Sequence, residues 1–198
     1  MMSVEIGKII RGESHTLYWV QVHNKLESSA APKPEDCAFG TFVSIPEDKS
    51  SSLTMVGVIV DTMLIDRDAL RAGPRLSPDM ETTTLLFPDF IDEKIKIVRI
   101  MLIGYIKDKK NYHNFPDITP NLGESVRRMQ EPEIEAFHLI DGHFQIGYYS
   151  LMDESIKLYM PLLRRILGHL IKIFPHEKVM INLLINNLEY RLKLGGGI

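Results

Sequence analysis

Seven histidines, one cysteine and a few glycine-bearing turns are the material from which this chain could build a reactive centre. His176-Glu177-Lys178-Val179-Met180 comes nearest to a metal motif. Zinc capture on a helix needs two imidazoles one turn apart, and Met180 takes the second place, so no zinc site is expected there. Gly7-Lys8 is followed by Ile9 and has no glycine cradle before it. Backbone amides and a lysine at set spacing hold nucleotide phosphates, so binding ATP in the P-loop manner is excluded. Gly123-Glu124-Ser125 runs into Val126 and Arg127 without the second glycine of a hydrolase nucleophile elbow. Cys37 follows Glu35 and Asp36, whose charge disfavours a thiolate, so it reads as a buried, inert thiol. His15, His23, His113, His138, His143, His169 and His176 are dispersed and read as surface or hydrogen-bonded structural histidines. No catalytic residue, metal ligand or cofactor-binding residue is therefore assigned, and no cofactor is expected. Gly195-Gly-Gly-Ile198 reads as a frayed, flexible end.

Composition narrows the class. Of 198 residues, 44% are hydrophobic and 25% charged, which is ordinary for a folded globular chain. The formal charge of −3 gives no whole-chain nucleic-acid signature, so direct nucleic-acid binding is expected to be weak or absent. No charge-free apolar run approaches the ~17–20 residues that span a bilayer. The opening Met-Met-Ser-Val-Glu-Ile lacks a basic region followed by an apolar one. The expectation is a cytoplasmic protein with no membrane segment. A single cysteine excludes an intrachain disulfide.

The elements that would position any site divide near Ser150. Residues 1–150 hold 16 Lys/Arg and 22 Asp/Glu, while residues 151–198 hold 7 and 4, so the sign of the charge reverses where the hydrophobic period changes. Strands are expected at Val4–Arg11, His15–His23, Ala38–Ile45, Leu53–Ile65, Thr82–Phe87 and Lys94–Lys107. A turn containing Gly12 joins the first two, Glu27–Asp36 reads as a loop, and Asp66–Ala72 as a short helix. In the second strand Leu17, Trp19 and Gln21 share one face and Tyr18, Val20 and Val22 the other. Gly40, Gly57 and Gly104 interrupt apolar strands, marking bulges or close backbone approach, which suits a small, strongly curved barrel. Residues 1–150 are therefore read as a closed β-barrel domain.

Residues 151–198 read as a helical hairpin, α+β overall. Ser150-Leu-Met-Asp153 has capping spacing, and an apolar stripe follows from Ile156 to Phe174 with Pro161 inside it, predicting a kink or a late start. Pro175 separates this from a second stripe, Met180 to Leu192, with Gly195 as a stop. Such stripes are core packing or a face kept for a partner. The candidate interaction surface is Tyr159, Met160, Leu163, Leu167, Met180, Ile181, Leu184 and Leu188, and a homo-oligomer is the expected assembly.

Ile6-Gly7-Lys8-Ile9-Ile10 and Gly40-Thr-Phe-Val-Ser-Ile45, taken in order with the segments after them, resemble the first strand and the second element of the HAS-barrel (HerA–ATP-synthase barrel) family. Val56-Gly-Val-Ile-Val-Asp61 and Met101-Leu-Ile-Gly-Tyr105 resemble later strands. Phe115-Pro-Asp-Ile-Thr-Pro120, with Gly123-Glu-Ser-Val126 after it, looks like the turn that closes the barrel in HerA-type proteins. Asp141-Gly-His-Phe-Gln-Ile-Gly147 is similar to the strand that leads those chains to their ATPase core. Gly123 and Gly147 join Gly40, Gly57 and Gly104 as structural glycines on this basis. Where HerA-type chains continue into a P-loop, this one enters helices, so the family's ATPase activity does not carry over. The resemblance implies a free-standing, non-catalytic assembly or docking module that works in trans with an ATPase or nuclease of a HerA-type DNA-processing system. The alternative is a small enzyme or ligand-binding protein using a pocket in or beside the barrel.

Overall fold

The structure, a computed structural model, describes residues 4–24, 31–46, 52–66, 94–153 and 156–195. Its strands are β1 (Glu5–Gly12), β2 (Leu17–Val22), β3 (Phe42–Pro46), β4 (Leu53–Asp66), β5 (Lys94–Lys107), β6 (Lys110–Tyr112) and β7 (Ser125–Arg128). They lie in the order β2-β1-β7-β3-β4-β5-β6, every pairing is antiparallel, and β2 also pairs with β5. That last pairing, from Leu17 opposite Met101 to Gln21 opposite Ile97, closes six strands into a barrel and leaves β6 as an appended edge.

The expected alternation in β2 holds: Tyr18, Val20 and Val22 are buried, with Leu17, Trp19 and Gln21 half-buried on the other face. The inner face draws Ile6, Tyr18, Val43, Met55, Ile100 and Val126, among others, from all six strands into one core. The outer face of β3, β4 and β5 is apolar too, because Phe42, Val56, Val58, Met101 and Ile103 belong to a second core shared with the helices. These strands are buried on both sides, so they read as continuous apolar runs rather than alternating ones.

The remaining elements are α1 (Glu131–His138), a two-strand ribbon β8 (Leu139–Ile140) and β9 (His143–Phe144), α2 (Tyr148–Asp153), α3 (Ile156–Ile173) and α4 (Lys178–Gly195). α3 and α4 form the hairpin, turning through Phe174 and a 3-10 turn at Pro175–Glu177. Met160, Leu163, Ile166, Leu167 and Leu170 of α3 are buried with Ile181 and Leu188 of α4 against the outer barrel wall. The barrel and the hairpin therefore share one core, which runs across the boundary placed at Ser150.

Several boundaries differ from the sequence expectations. β3 starts at Phe42, not Ala38, because the backbone turns first: Thr41 N–H donates to Ala38 O at 3.1 Å, and Gly40 takes φ +80°. Gly40 is therefore a turn residue, and a left-handed φ is what glycine supplies without steric cost. Gly12 ends β1 rather than sitting in the following turn. Ser150 lies inside α2, so it caps no helix, and α3 runs through Pro161 from a start five residues earlier instead of beginning late. Asp141-Gly142 forms the turn of a ribbon of two-residue strands, not a long strand. The loop expected at Glu27–Asp36 is described only from residue 31 and holds a 3-10 turn at Pro34–Cys37. The helix expected at Asp66–Ala72 and the strand at Thr82–Phe87 fall outside the described residues, apart from Asp66, which ends β4.

Candidate functional site

The histidines that look dispersed in the sequence include two that meet. His138, at the end of α1, is fully buried. Its Nδ1 lies 2.7 Å from the Ile134 carbonyl and its Nε2 2.7 Å from the Tyr148 hydroxyl. A carbonyl only accepts, so Nδ1 carries the proton and Nε2 accepts the one from Tyr148. Burial drives the His138 pKa down to about 3; the bond to Ile134 opposes this, and the neighbouring His113 and His169 add to it. Burial likewise raises the Tyr148 hydroxyl well above its ordinary value.

His113 stands with its ring centroid 5.6 Å from that of His138. Its Nε2–H donates to Phe137 O at 3.0 Å, and its Nδ1 accepts from Gly147 N–H at 3.0 Å. Burial lowers its pKa, against the raising effect of the Phe137 bond. Both rings are held neutral in fixed tautomers, walled by Phe42, Phe137, Phe144 and Phe174. With all four ring nitrogens occupied, His138 enclosed and His113 half-buried, the pair orders the packing of α1 and α2 and leaves no ring nitrogen free for a substrate.

The other candidates scatter. His15 Nε2 donates to Pro116 O at 2.6 Å, and His23 Nε2 pairs with Glu5 at 3.1 Å. His143 and His176 are exposed on separate elements. Cys37 is buried, and its thiol is pushed up first by that burial and then by Asp36, against the lowering effect of Lys96. No group of three or more His, Cys, Asp or Glu that could hold a metal occurs among the described residues.

Each structural glycine has an identifiable neighbour or conformation. Gly57 and Gly104 flank one β4–β5 irregularity, where Val56 faces Gly104 but Gly57 faces Leu102, leaving Ile103 as the extra residue. A Cβ at Gly57 would lie 2.8 Å from Met101 O, and one at Gly147 would lie 2.8 Å from the His113 side chain. Gly123 takes φ +85° in open space, so its requirement is conformational. The closest approach belongs to Gly7, which sequence reasoning passed over: a Cβ there would lie 1.9 Å from Gln21 O.

The candidate interaction stripe needs the larger correction. Met160, Leu163, Leu167, Ile181 and Leu188 are buried in the chain's own core, and Leu184 packs partly buried against it. The apolar surplus of the hairpin covers the barrel wall. Met180 is 40% exposed and remains available, whereas the side chain of Tyr159 lies outside the described residues.

The open feature is a cleft of about 1080 Å³ between the turn before β3, the β7–α1 junction and α3. Its walls are pinned to the barrel, since Gly40 N–H donates to Ile59 O at 2.8 Å and Met129 N–H to Phe42 O at 3.0 Å. α1 opens over it at Gln130-Glu131-Pro132-Glu133, where Gln130 N–H donates to Glu133 Oε2 at 2.7 Å. A proline in the first turn with glutamate at its third position was a readable start signal for this helix. The lining carries Arg128, Arg164, Arg165 and Lys172 against Glu35 and Glu131, with Phe39 half-exposed. Arg128 is held by buried Asp36, Nη1 to Oδ1 at 2.5 Å, and Arg164 reaches Glu189 of α4 at 3.4 Å.

His169 lies in the same wall, its ring 6.1 Å from that of Phe42. Burial is the first cause of its lowered pKa; Lys172, Arg165 and Arg128 push the same way, and Glu131 opposes them. The arrangement offers cations and an aromatic ring but no nucleophile beside a base, so what it can do chemically is bind an anionic group.

Among the described residues no helix is long and apolar enough to cross a membrane. No curated protein matches the chain. Residues 1–198 match the family model described as "Domain of unknown function (DUF8166)", and the chain belongs to that family.

Proposed function

We propose that this protein is a non-catalytic docking module, a HAS-like barrel with its own helical cover, that works in trans with an ATPase or nuclease of a HerA-type system. The observation that carries this reading is the separation of roles in the structure. The side chains fit for proton chemistry, His113, His138 and Tyr148, are engaged with one another and with backbone in the core. The accessible cleft instead presents charge and an aromatic ring to whatever lies outside. Self-association belongs to the same reading, through the outer side of α4, where Val179, Leu183 and Tyr190 stand more than 60% exposed at helical spacing.

The test is light scattering on the chain alone and mixed with a HerA-type ATPase. The reading expects an oligomer of defined mass alone and a further, stoichiometric complex in the mixture. A monomer that stays separate from the ATPase at micromolar concentration overturns it. Calorimetry with ATP and magnesium is expected to show no saturable heat, because the chain has no phosphate cradle; tight saturable binding would return the barrel to the nucleotide-binding proteins.

The cleft also favours the second reading, a ligand-binding protein with its pocket beside the barrel. Its size falls at or just above the range of small-molecule sites, ~300–1,000 Å³. Saturable binding of a small anion, with no complex formed by the ATPase, would select it.

A further inference from the structure

The cleft holds two cations that no carboxylate pairs with among the described residues. Arg128 is committed to Asp36 and Arg164 to Glu189. Arg165 and Lys172, two turns apart on α3, have neither an ion-pair nor a side-chain hydrogen-bond partner among the described residues, and the ring of His169 between them has no hydrogen bond. The stem of Arg165 packs on the bare backbone of Gly40, where a Cβ would lie 2.7 Å from its Cγ. Phe39, Met129 and Pro132 from the other walls, and Pro161 one turn before Arg165 on α3, give the cleft an apolar part.

We infer that the cleft takes an acidic peptide segment of a partner protein, with carboxylates on Arg165 and Lys172 and an apolar side chain against Phe39. The inference rests on the docking reading and names the chemistry of its partner. Charge complementarity selects this occupant. The unpaired groups are cations, which the carboxylates of such a segment complement locally. A peptide fits better than a bare phosphate, because the apolar side of the cleft has no use in holding inorganic anion alone. It also fits better than nucleic acid, because Glu35 and Glu131 line the same cleft and would oppose a continuous phosphate backbone more than a peptide whose carboxylates are spaced apart.

The bound carboxylates would change how His169 titrates. Four charged groups act on that ring from the elements around it: Glu131 of α1 raises its pKa, while Lys172 and Arg165 of α3 and Arg128 of β7 lower it. Neutralising the two free cations removes part of the lowering, so the His169 pKa rises on binding. By linkage the peptide then binds more tightly as pH falls through the histidine range.

The experiment uses the full chain and a fluorescent ten-residue peptide of alternating glutamate and leucine. Anisotropy is read at 50 and 200 mM salt, with NMR of the His169 ring. Saturable binding is expected, weakened by salt, weakened at least tenfold by Arg165→Glu with Lys172→Glu, and accompanied by a rise in the His169 pKa. Lys110→Glu, on the distant edge strand, is expected to leave binding unchanged. Absence of saturable binding, equal binding by the double variant, or tighter binding of a single-stranded oligonucleotide or of inorganic phosphate each overturns the inference. If the ATPase complex forms and ignores the double variant, this inference fails while the docking reading stands. If the peptide binds at the cleft and no ATPase complex forms, the reverse holds.

Discussion

Adding a single methyl group at Gly7 or Gly104 is expected to lower stability by about 3 kcal/mol or more, against a total of ~5–15 kcal/mol for a domain of this kind. The cause is contact with backbone, which cannot rotate away. A Cβ at Gly7 would lie 1.9 Å from Gln21 O on β2, and one at Gly104 would lie 2.3 Å from Tyr112 O and 2.8 Å from the Phe137 ring. Gly57→Ala, 2.8 Å from Met101 O, should be milder. Gly168→Ala provides the opposite sign: α3 has open space there, and alanine in a helix is favoured over glycine by ~0.5–1 kcal/mol. Urea unfolding of the four variants checks the order. Unchanged midpoints for Gly7→Ala and Gly104→Ala would mean the strands do not approach as closely as described.

Acid is expected to begin destabilising the protein well above the carboxylate range, with His138 as the main cause. The ring is neutral in the fold, with a pKa of about 3, and titrates near 6.5 once the chain is unfolded. Between those values the unfolded state binds a proton that the folded state refuses. Stability from this group is therefore complete above pH 6.5 and is lost as pH falls toward 3. One proton changes stability by ~1.4 kcal/mol per pH unit, so about 2–3 kcal/mol should be gone at pH 4.5. His113, whose pKa burial also lowers, acts in the same direction. Urea midpoints from pH 7.5 to 4.5 measure the slope. Replacing both partners, His138→Leu with Tyr148→Phe, should flatten it by close to one proton; both members of the imidazole–phenol bond go together, and only the Ile134 carbonyl loses a side-chain donor. If that pair does not fold, the His138 ring signals of the native chain serve instead, and titration near pH 6.5 in the folded state overturns the account.

The barrel was legible because its strands announce themselves through β-branched runs and because glycine marks where two backbones meet. Lys94–Lys107 is predicted to the residue. Gly57 and Gly104 were recognisable as a pair of anomalies, although only the register shows that they flank one bulge. Gly7 escaped notice because its constraint comes from Gln21 on the neighbouring strand, and nothing local to Ile6-Gly7-Lys8 records it. The cleft was not legible at all. Its cations come from β7 and α3 and its aromatic ring from the turn before β3, so their meeting depends on how the hairpin docks. The same docking buried the stripe from Met160 to Leu188: an apolar face reads alike whether it covers its own barrel or another chain. His113 and His138 were misleadingly ordinary for a related reason, since a buried imidazole with two partners has no sequence signature.

The seam between β2 and β5 has a consequence for how the molecule is made. A ribosome releases β1 and β2 first, yet the strands that cover their free edges are β5 on one side and β7 on the other. Until Lys107 has emerged, the N-terminal hairpin exposes two unpaired edges and an apolar face, and the β1 edge stays open until Arg128 follows, a configuration prone to joining another nascent chain. The two pairings join segments far apart in sequence, so loop-closure entropy must be met before they form, and slow closure is expected of such a topology. Lys8 and Arg11, charged and exposed along β1 throughout this interval, are well placed to keep two such hairpins apart.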